Sequence, residues 1–373
     1  MYKLLIQEIL ISIAYFGPLS FIAIFLSSQS SLNYNDIAMV LLIGSVAGRA
    51  GRILFASFID KFPINLNFTF FNILGFIGYL LLANSSNFVM ALIGVTLIGF
   101  FYSSSALLIR VLTSVQKSQT NNLKYAKLHV FTNLASISPL LINIIFNYNQ
   151  KLSFILVAFM LFFMAIYSFI AFNNVKLPKQ NKWMPSFIGL ILNIRFYRIY
   201  FLSITIWFIY AQVFSLAPVL LANKYHLSNI VWLIPFINGL IVVLLSIKIN
   251  KKLSDLYSNL NIIKISVIIS FIGFMCFLIN SIYAVFMGVV LFSITELLFI
   301  PTLNSIYTEI VSNEKRVAMF AINALLMATG EGLGFYFGTL TGLNDGLSLI
   351  SMTIIFIILA ITFILSFRKI NKK

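Results

Sequence analysis

Residues 75–80, Gly-Phe-Ile-Gly-Tyr-Leu, return as Ser-Phe-Ile-Gly-Phe-Met at residues 270–275. Sliding residues 58–115 along the chain by 195 positions, without a gap, aligns these two segments and also brings Asp60 onto Asp255. The match indicates a tandem duplication of one hydrophobic unit. Two copies of one unit are expected to fold alike and to form related halves.

The composition places most of the chain in lipid. Mean hydropathy is +1.02, and only 9% of residues are charged, against about a quarter in soluble globular proteins. An apolar helix needs ~20 residues to cross ~30 Å of hydrocarbon. Twelve runs near or above that length predict twelve transmembrane helices in an all-α protein: residues 4–27, 34–59, 66–84, 87–115, 126–148, 151–174, 196–221, 228–250, 260–280, 282–307, 317–343 and 345–367.

The longest polar interruption, residues 173–184, divides these spans into six and six. We therefore predict an N-terminal six-helix bundle over residues 1–174, a cytoplasmic linker over 175–195 and a C-terminal six-helix bundle over 196–373. Halves with the same number of crossings enter the bilayer with the same topology, which is the parallel-repeat plan of two-bundle secondary transporters.

The basic residues predict the orientation. If the N-terminus is cytoplasmic, most lysines and arginines fall on inner segments, whereas Lys151 and Lys224 lie outside. This positive-inside bias predicts a multi-pass protein of the cell (cytoplasmic) membrane with both termini in the cytoplasm. Because the charges are spread over separate loops, the net charge of +16 indicates topology and not nucleic-acid binding.

Several classes of function are disfavoured. The single cysteine, Cys276, excludes an intramolecular disulfide, and no phosphate-binding loop motif is present for an ATP-driven pump. The only histidines, His129 and His226, fall in different halves, so we expect no metal site and no cofactor. We predict a monomer that is not an enzyme, with a small-molecule substrate, protons and the lipid bilayer as its partners.

Two acidic residues fall deep in predicted spans, where a charge costs about 2.5 to 3.5 kcal/mol on insertion scales. Glu296 lies about halfway along the tenth span and Glu331 about halfway along the eleventh. A carboxyl that is alternately wet and dry can bind and release a proton, so both are candidates for proton coupling. A helix tie through hydrogen bonds is the alternative, especially for Glu331, because Gly330 and Gly332 permit close packing. Glu8 is expected near a span edge.

Arg110, in the fourth span, either lines a cavity or extends along the helix to the interface, about five residues away. The seventh and eighth spans add Trp207, Tyr210, Gln212 and Asn238. Aromatic and amide groups suit an amphipathic organic ligand, with core packing as the alternative for the two aromatic residues. His129, which begins the fifth span, is expected to be an interfacial histidine.

Several motifs resemble the major facilitator superfamily, and the resemblance covers essentially the whole chain. The family's loop G-x-L-a-D-r-x-G-r corresponds to residues 56–63, Ala-Ser-Phe-Ile-Asp-Lys-Phe-Pro, which keep the aspartate and the following base but lack the glycines. Residues 253–255, Leu-Ser-Asp, match less closely. Four further stretches look like the twelve-helix drug/proton antiporters of the MdtH-like branch: residues 210–218, 238–239, 296–301 and 315–316.

The resemblance implies a central cavity lined by helices one, four, seven and ten, with Arg110, Tyr210, Gln212 and Glu296 on or near it. It also implies cytoplasmic gate residues, namely Asp60, Lys61 and Asp255.

The function expected from these features is a proton-coupled secondary transporter that exports a small organic molecule across the cytoplasmic membrane by alternating access. Three alternatives stay open. One is a dedicated exporter of a secreted metabolite such as a metallophore, which a buried arginine would suit if the metabolite carries a carboxylate. The others are an uptake symporter and, more remotely, a non-transporting membrane sensor.

Overall fold

The structure, a computed structural model, describes residues 2–27, 34–115, 121–135, 149–173, 183–227 and 233–343, together with isolated positions between and beyond these ranges. Every regular element in these ranges is a helix. Most of the predicted twelfth span and the second half of the fifth lie outside the described residues, so the count of twelve helices and the two six-helix bundles stay predictions.

The α-helices follow the predicted spans, with breaks in the second span at Phe55 and in the seventh span after Tyr210. In chain order they are α1 Tyr2–Ser27, α2 Tyr34–Leu54, α3 Ala56–Lys61, α4 Ile64–Ala83, α5 Phe88–Ser114, α6 Asn121–Leu134, α7 Gln150–Ala171, α8 Trp183–Ile191, α9 Tyr197–Tyr210, α10 Leu216–Val219, α11 Leu233–Leu256, α12 Asn259–Leu278, α13 Ile282–Ile310 and α14 Arg316–Leu343.

Eight helical segments in the described part of the chain are long and apolar enough to cross a membrane: residues 64–83, 88–114, 150–171, 197–218, 233–256, 259–278, 282–310 and 313–334. Large apolar side chains on their outer faces are exposed in the isolated chain, for example Phe163 at 65% and Leu244 at 65%. Such a surface needs lipid around it, since water would favour its burial. The chain is therefore a multi-pass membrane protein.

The helix boundaries reproduce the duplication seen in the sequence. Helices α4 and α12 both contain 20 residues, and their first and last residues are each 195 positions apart. The first residues of α1 and α9, and those of α6 and α14, are separated by the same 195 positions. The two repeats therefore specify equivalent helices.

Close glycine contacts hold equivalent helix pairs in both repeats. A Cβ atom added to Gly78 would lie 2.9 Å from the Gly94 carbonyl oxygen, where α4 crosses α5. One added to Gly288 would lie 2.9 Å from the Gly273 carbonyl oxygen, where α12 crosses α13. Lipid gives helices little hydrophobic reason to associate, so close backbone packing at small residues is a main source of their attraction.

Backbone packing divides the chain into two compact units. The first unit comprises residues 1–118, 134–189 and 311–324, and the second comprises residues 119–133, 190–310 and 325–373. All of α6 except Leu134 thus belongs to the second unit, and the start of α14, up to Ala324, belongs to the first. The predicted division at residues 175–195 stays a prediction, and this linker contains the short helix α8.

In the first unit, α1 continues through Pro18. Proline has no backbone N–H, so the carbonyl oxygen of Ala14, four residues earlier, loses its helical donor. The Tyr79 hydroxyl on α4 donates to this oxygen over 2.5 Å. A carbonyl that proline frees inside the membrane is thereby satisfied by protein, which lipid cannot do.

A first prediction concerns α14, which packs against α9 in the second unit. A Cβ atom at Gly330 would lie 2.7 Å from Trp207 Cβ, with the Ile204 carbonyl oxygen closer still. We expect Gly330→Ala to lower the free energy of unfolding by about 1–3 kcal/mol through overpacking, measured by thermal melting of the purified protein in detergent.

The control is Gly332→Ala on the same helix, where an added Cβ meets no atom within 4 Å. It should be neutral or stabilising by up to ~1 kcal/mol, because alanine favours a helix over glycine. Equal losses in the two variants would contradict the close contact between α9 and α14.

Candidate functional site

The Glu296 carboxylate lies in the second unit at the meeting point of three donors. Its Oε2 accepts a hydrogen bond of 2.6 Å from the Tyr210 hydroxyl and one of 2.7 Å from Asn238 Nδ2. Its Oε1 lies 3.1 Å from His129 Nε2. Glu296 is only 5% exposed, so these groups replace the water that an ionised carboxylate would otherwise bind.

The three donors come from three different helices. Tyr210 ends α9, Asn238 lies on α11 and His129 lies on α6, whereas Glu296 itself lies on α13. Asn238 also donates to Ser293 Oγ, one turn before Glu296, over 3.2 Å. Movement of any of these helices relative to α13 would change the contacts of the carboxylate.

Helix α6 carries two further polar contacts of the second unit. Asn122 Nδ2 donates to Ser254 Oγ over 2.9 Å. The Tyr125 hydroxyl lies 2.8 Å from Thr308 Oγ1 on α13. Together with His129, these side chains attach the start of α6 to α11 and α13.

A proline shapes the backbone next to Glu296. Pro301 lies inside α13 and provides no N–H for the Leu297 carbonyl oxygen, which is four residues earlier. Asn250 Nδ2 on α11 donates to that oxygen over 2.7 Å. Because Leu297 and Asn250 are fully buried, this bond fixes α11 against α13 one residue after the candidate coupling residue.

Tyr210 links Glu296 to the second predicted acid. Glu331 on α14 is 9% exposed, and its charge acts on the Tyr210 hydroxyl together with that of Glu296. The Trp207 ring meets the Tyr210 ring edge-on, with 5.7 Å between centroids. The structure therefore brings Glu296, Asn238 and Trp207 together next to Tyr210, and Glu331 is near enough to act electrostatically on the Tyr210 hydroxyl.

Gln212 occupies a different place, just after α9 ends. The backbone here forms a 3-10 turn over Ala211–Val213, and irregular backbone in a membrane needs partners from protein. Gln212 Nε2 donates to the Phe208 and Gly334 carbonyl oxygens over 3.1 and 3.0 Å. Its side chain joins α9 to α14 and is fully buried. Substrate binding by Gln212 stays a prediction.

The predicted gate residues lie at helix ends. Asp60 and Lys61 close the short helix α3, where Lys61 is exposed, and Asp255 is exposed near the end of α11. Arg110 belongs to the first unit, on α5, and is partly exposed. Gating by the first three residues and substrate binding by Arg110 stay predictions.

One expectation from the sequence is wrong. His129 is a buried partner of Glu296 and not an interfacial side chain. Glu8 lies in the second turn of α1 and is 2% exposed. One signal could have suggested the pairing of His129 with Glu296: a membrane protein with few ionisable groups reduces their cost in lipid most by placing them against each other.

The described residues hold no group of three or more His, Cys, Asp or Glu side chains that could bind a metal ion. The acids and histidine around Glu296 are instead suited to exchange protons and hydrogen bonds.

No family model matches the sequence, and no curated protein matches it. Solved structures do match. The human organic anion transporter MFSD10 (TETRAN) is 13% identical, with a TM-score of 0.78 over 97% of each chain. A bacterial homologue of the iron transporter ferroportin in its outward-facing state is also 13% identical, with a TM-score of 0.74 over 98% of this chain and 99% of that one.

The chain has the fold of these two transporters. Membership of the major facilitator superfamily and of its MdtH-like branch stays a prediction. Neither neighbour is an enzyme.

A second prediction concerns the Leu297 carbonyl oxygen, which has no helical N–H donor because residue 301 is proline. Asn250→Leu should lower the free energy of unfolding by about 1–3 kcal/mol, because the buried Leu297 oxygen loses its donor. In a Pro301→Ala background the same change should cost less, since the alanine N–H can donate to that oxygen. Thermal melting of the unaltered protein, the two single variants and the double variant gives the coupling free energy between the two positions. Stability losses that simply add would contradict this role of Asn250.

Proposed function

We propose that the protein is a proton-coupled secondary transporter that exports a small organic molecule across the cytoplasmic membrane by alternating access. The observation that carries this proposal is the Glu296 carboxylate, which is buried inside a membrane-spanning helix and bound by donors from three other helices. Both structural neighbours described above are transporters, which supports the same class of function.

Proton binding at Glu296 would change its contacts. An ionised carboxylate only accepts hydrogen bonds, whereas a protonated carboxyl donates one. The Tyr210 hydroxyl can reverse its role and accept, but the Asn238 amide N–H₂ cannot. Protonation would also remove the charge that attracts His129. The contacts of Glu296 with α6 and α11 would therefore weaken while that with α9 persists.

This asymmetry provides the coupling between proton and conformation. Helix α6 belongs to the first repeat in the sequence, yet residues 119–133 pack in the unit of the second repeat. Alternating access requires that such contacts form in one state and break in the other. In our proposal, the ionised Glu296 holds α6, and a proton on Glu296 releases it.

Export is proposed because the closest motif resemblance is to drug/proton antiporters. An uptake symporter would use the same carboxyl with the opposite direction of substrate movement. A dedicated exporter of one secreted metabolite differs only in its substrate range, and a non-transporting sensor would show no flux.

A third prediction tests proton coupling. Compounds that accumulate in the medium only when cells make the protein are first identified and then added to inverted membrane vesicles with an acidic lumen. We expect each exported compound to drive protons out of the lumen, seen with a pH-sensitive dye. Glu296→Gln should abolish this proton movement while the compound still binds, because glutamine cannot exchange a proton.

Glu314→Gln is the matched control, since Glu314 is an exposed carboxylate outside α13 and α14; it should behave like the unaltered protein. Normal proton movement in Glu296→Gln would refute the assignment of Glu296. Proton movement into the lumen would show symport, and no movement with any compound would refute proton coupling.

A further inference from the structure

The first unit contains a second polar region that the Glu296 site does not explain. On α1, Glu8, Ser12 and Tyr15 follow one another at spacings of four and three residues. Residues at these spacings share one face of a helix. A polar stripe on a membrane-spanning helix must face protein or a wet cavity.

Helix α5 carries a matching stripe. Tyr102 and Ser105 lie three residues apart and share one helix face, and Arg110 lies eight residues after Tyr102, about two turns further along the helix. Tyr15 and Tyr102 stack with 3.9 Å between ring centroids and an interplanar angle of 6°. This contact places the two polar stripes against each other.

The described part of this region contains buried hydroxyl groups without a hydrogen-bond partner. Among the described residues, none is found for the hydroxyls of Ser12 and Ser105. Buried hydroxyls usually find a partner in protein or ordered water. Tyr15 and Tyr102, in contrast, are partly exposed although they lie within their helices. The two stripes thus have the character of a cavity wall and not of a closed core.

The charges around Tyr102 favour an anion. Glu8, Arg110 and Arg52 all act electrostatically on the Tyr102 hydroxyl, and two guanidinium groups with one carboxylate carry a formal charge of +1. Arg52 on α2 is buried, and its Nε donates to the Ser103 carbonyl and Oγ over 3.1 Å each. Its guanidinium is therefore held in place as a fixed positive charge.

Arg110 extends toward this region. Long side chains on helices point back toward the helix N-terminus, which carries the Arg110 guanidinium in the direction of Tyr102, two turns earlier. Its charge acts on the Tyr102 hydroxyl, as this direction requires. Of the two roles considered for Arg110, the geometry supports the cavity role.

We propose that α1 and α5 form a binding site for organic carboxylates with a flat apolar body. Arg110 binds the carboxylate, assisted by the fixed charge of Arg52, because a guanidinium matches the planar geometry of that group. The stacked Tyr15–Tyr102 pair packs against the apolar body. This inference rests on the proposed transport function, since it names the substrate class.

The test measures the electrostatic potential and wetness of the site without measuring transport. In full-length protein in lipid nanodiscs, Cys276→Ser removes the native thiol and Phe16→Cys introduces one. Phe16 is partly exposed and meets the Tyr102 ring at 5.3 Å between centroids. The rates of reaction with anionic sulfonatoethyl and cationic trimethylammonioethyl methanethiosulfonate are compared, each relative to free cysteine.

We expect the anionic reagent to be favoured and Arg110→Gln to reduce that preference by about tenfold, as the loss of one nearby charge predicts. Millimolar benzoate should slow the reaction, and benzamide, which lacks the charge, should not. Ile93→Cys, at a position on α5 that is 46% exposed on the apolar surface, should react with neither charged reagent.

A thiol at position 16 that reacts with neither reagent would overturn the cavity, and a preference for the cationic reagent would overturn the anion site. Equal protection by benzoate and benzamide would overturn the carboxylate class. None of these outcomes depends on Glu296, so they are distinguishable from failure of proton coupling, which the vesicle assay with Glu296→Gln reports.

Discussion

A carboxylate inside a membrane must have partners, and the donors around Glu296 meet that constraint. Its oxygens lie 2.6 Å from the Tyr210 hydroxyl, 2.7 Å from Asn238 Nδ2 and 3.1 Å from His129 Nε2. Removing a partner from a buried charge typically costs about 3–5 kcal/mol. In the proposed mechanism, the positions of α6, α9 and α11 around α13 depend on the ionisation of this one residue, so that a proton changes the conformation.

The duplication explains both the likeness and the difference of the two units. Tyr15 and Tyr210 are 195 positions apart, so each repeat places a tyrosine at the same point. At that offset, Glu296 corresponds to Phe101 and Arg110 corresponds to Ser305. In our account, one scaffold carries an acid beside its tyrosine for proton coupling, and the other carries a base for the substrate.

Much of the fold could be predicted because hydrophobic length and repetition are local properties. The run 87–115 anticipated α5 at 88–114, and the run 260–280 anticipated α12 at 259–278. The residues around Glu296 were also anticipated in part, since Tyr210 and Asn238 are polar groups in apolar spans. The pairing with His129 could not be predicted, because it depends on how α6 crosses α13. The contact of Asn250 with the Leu297 carbonyl oxygen could not be predicted either, because it depends on how α11 crosses α13 next to Pro301.

Amide hydrogen exchange reports whether the charge on Glu296 holds α6, as we propose. In substrate-free protein at one pH, we expect faster exchange over residues 119–133 in Glu296→Gln than in the unaltered protein, because the neutral amide imitates the protonated state. Residues 259–278, which do not contact this carboxylate, should exchange equally in both. Unchanged exchange over residues 119–133 would show that the Glu296 charge does not hold α6.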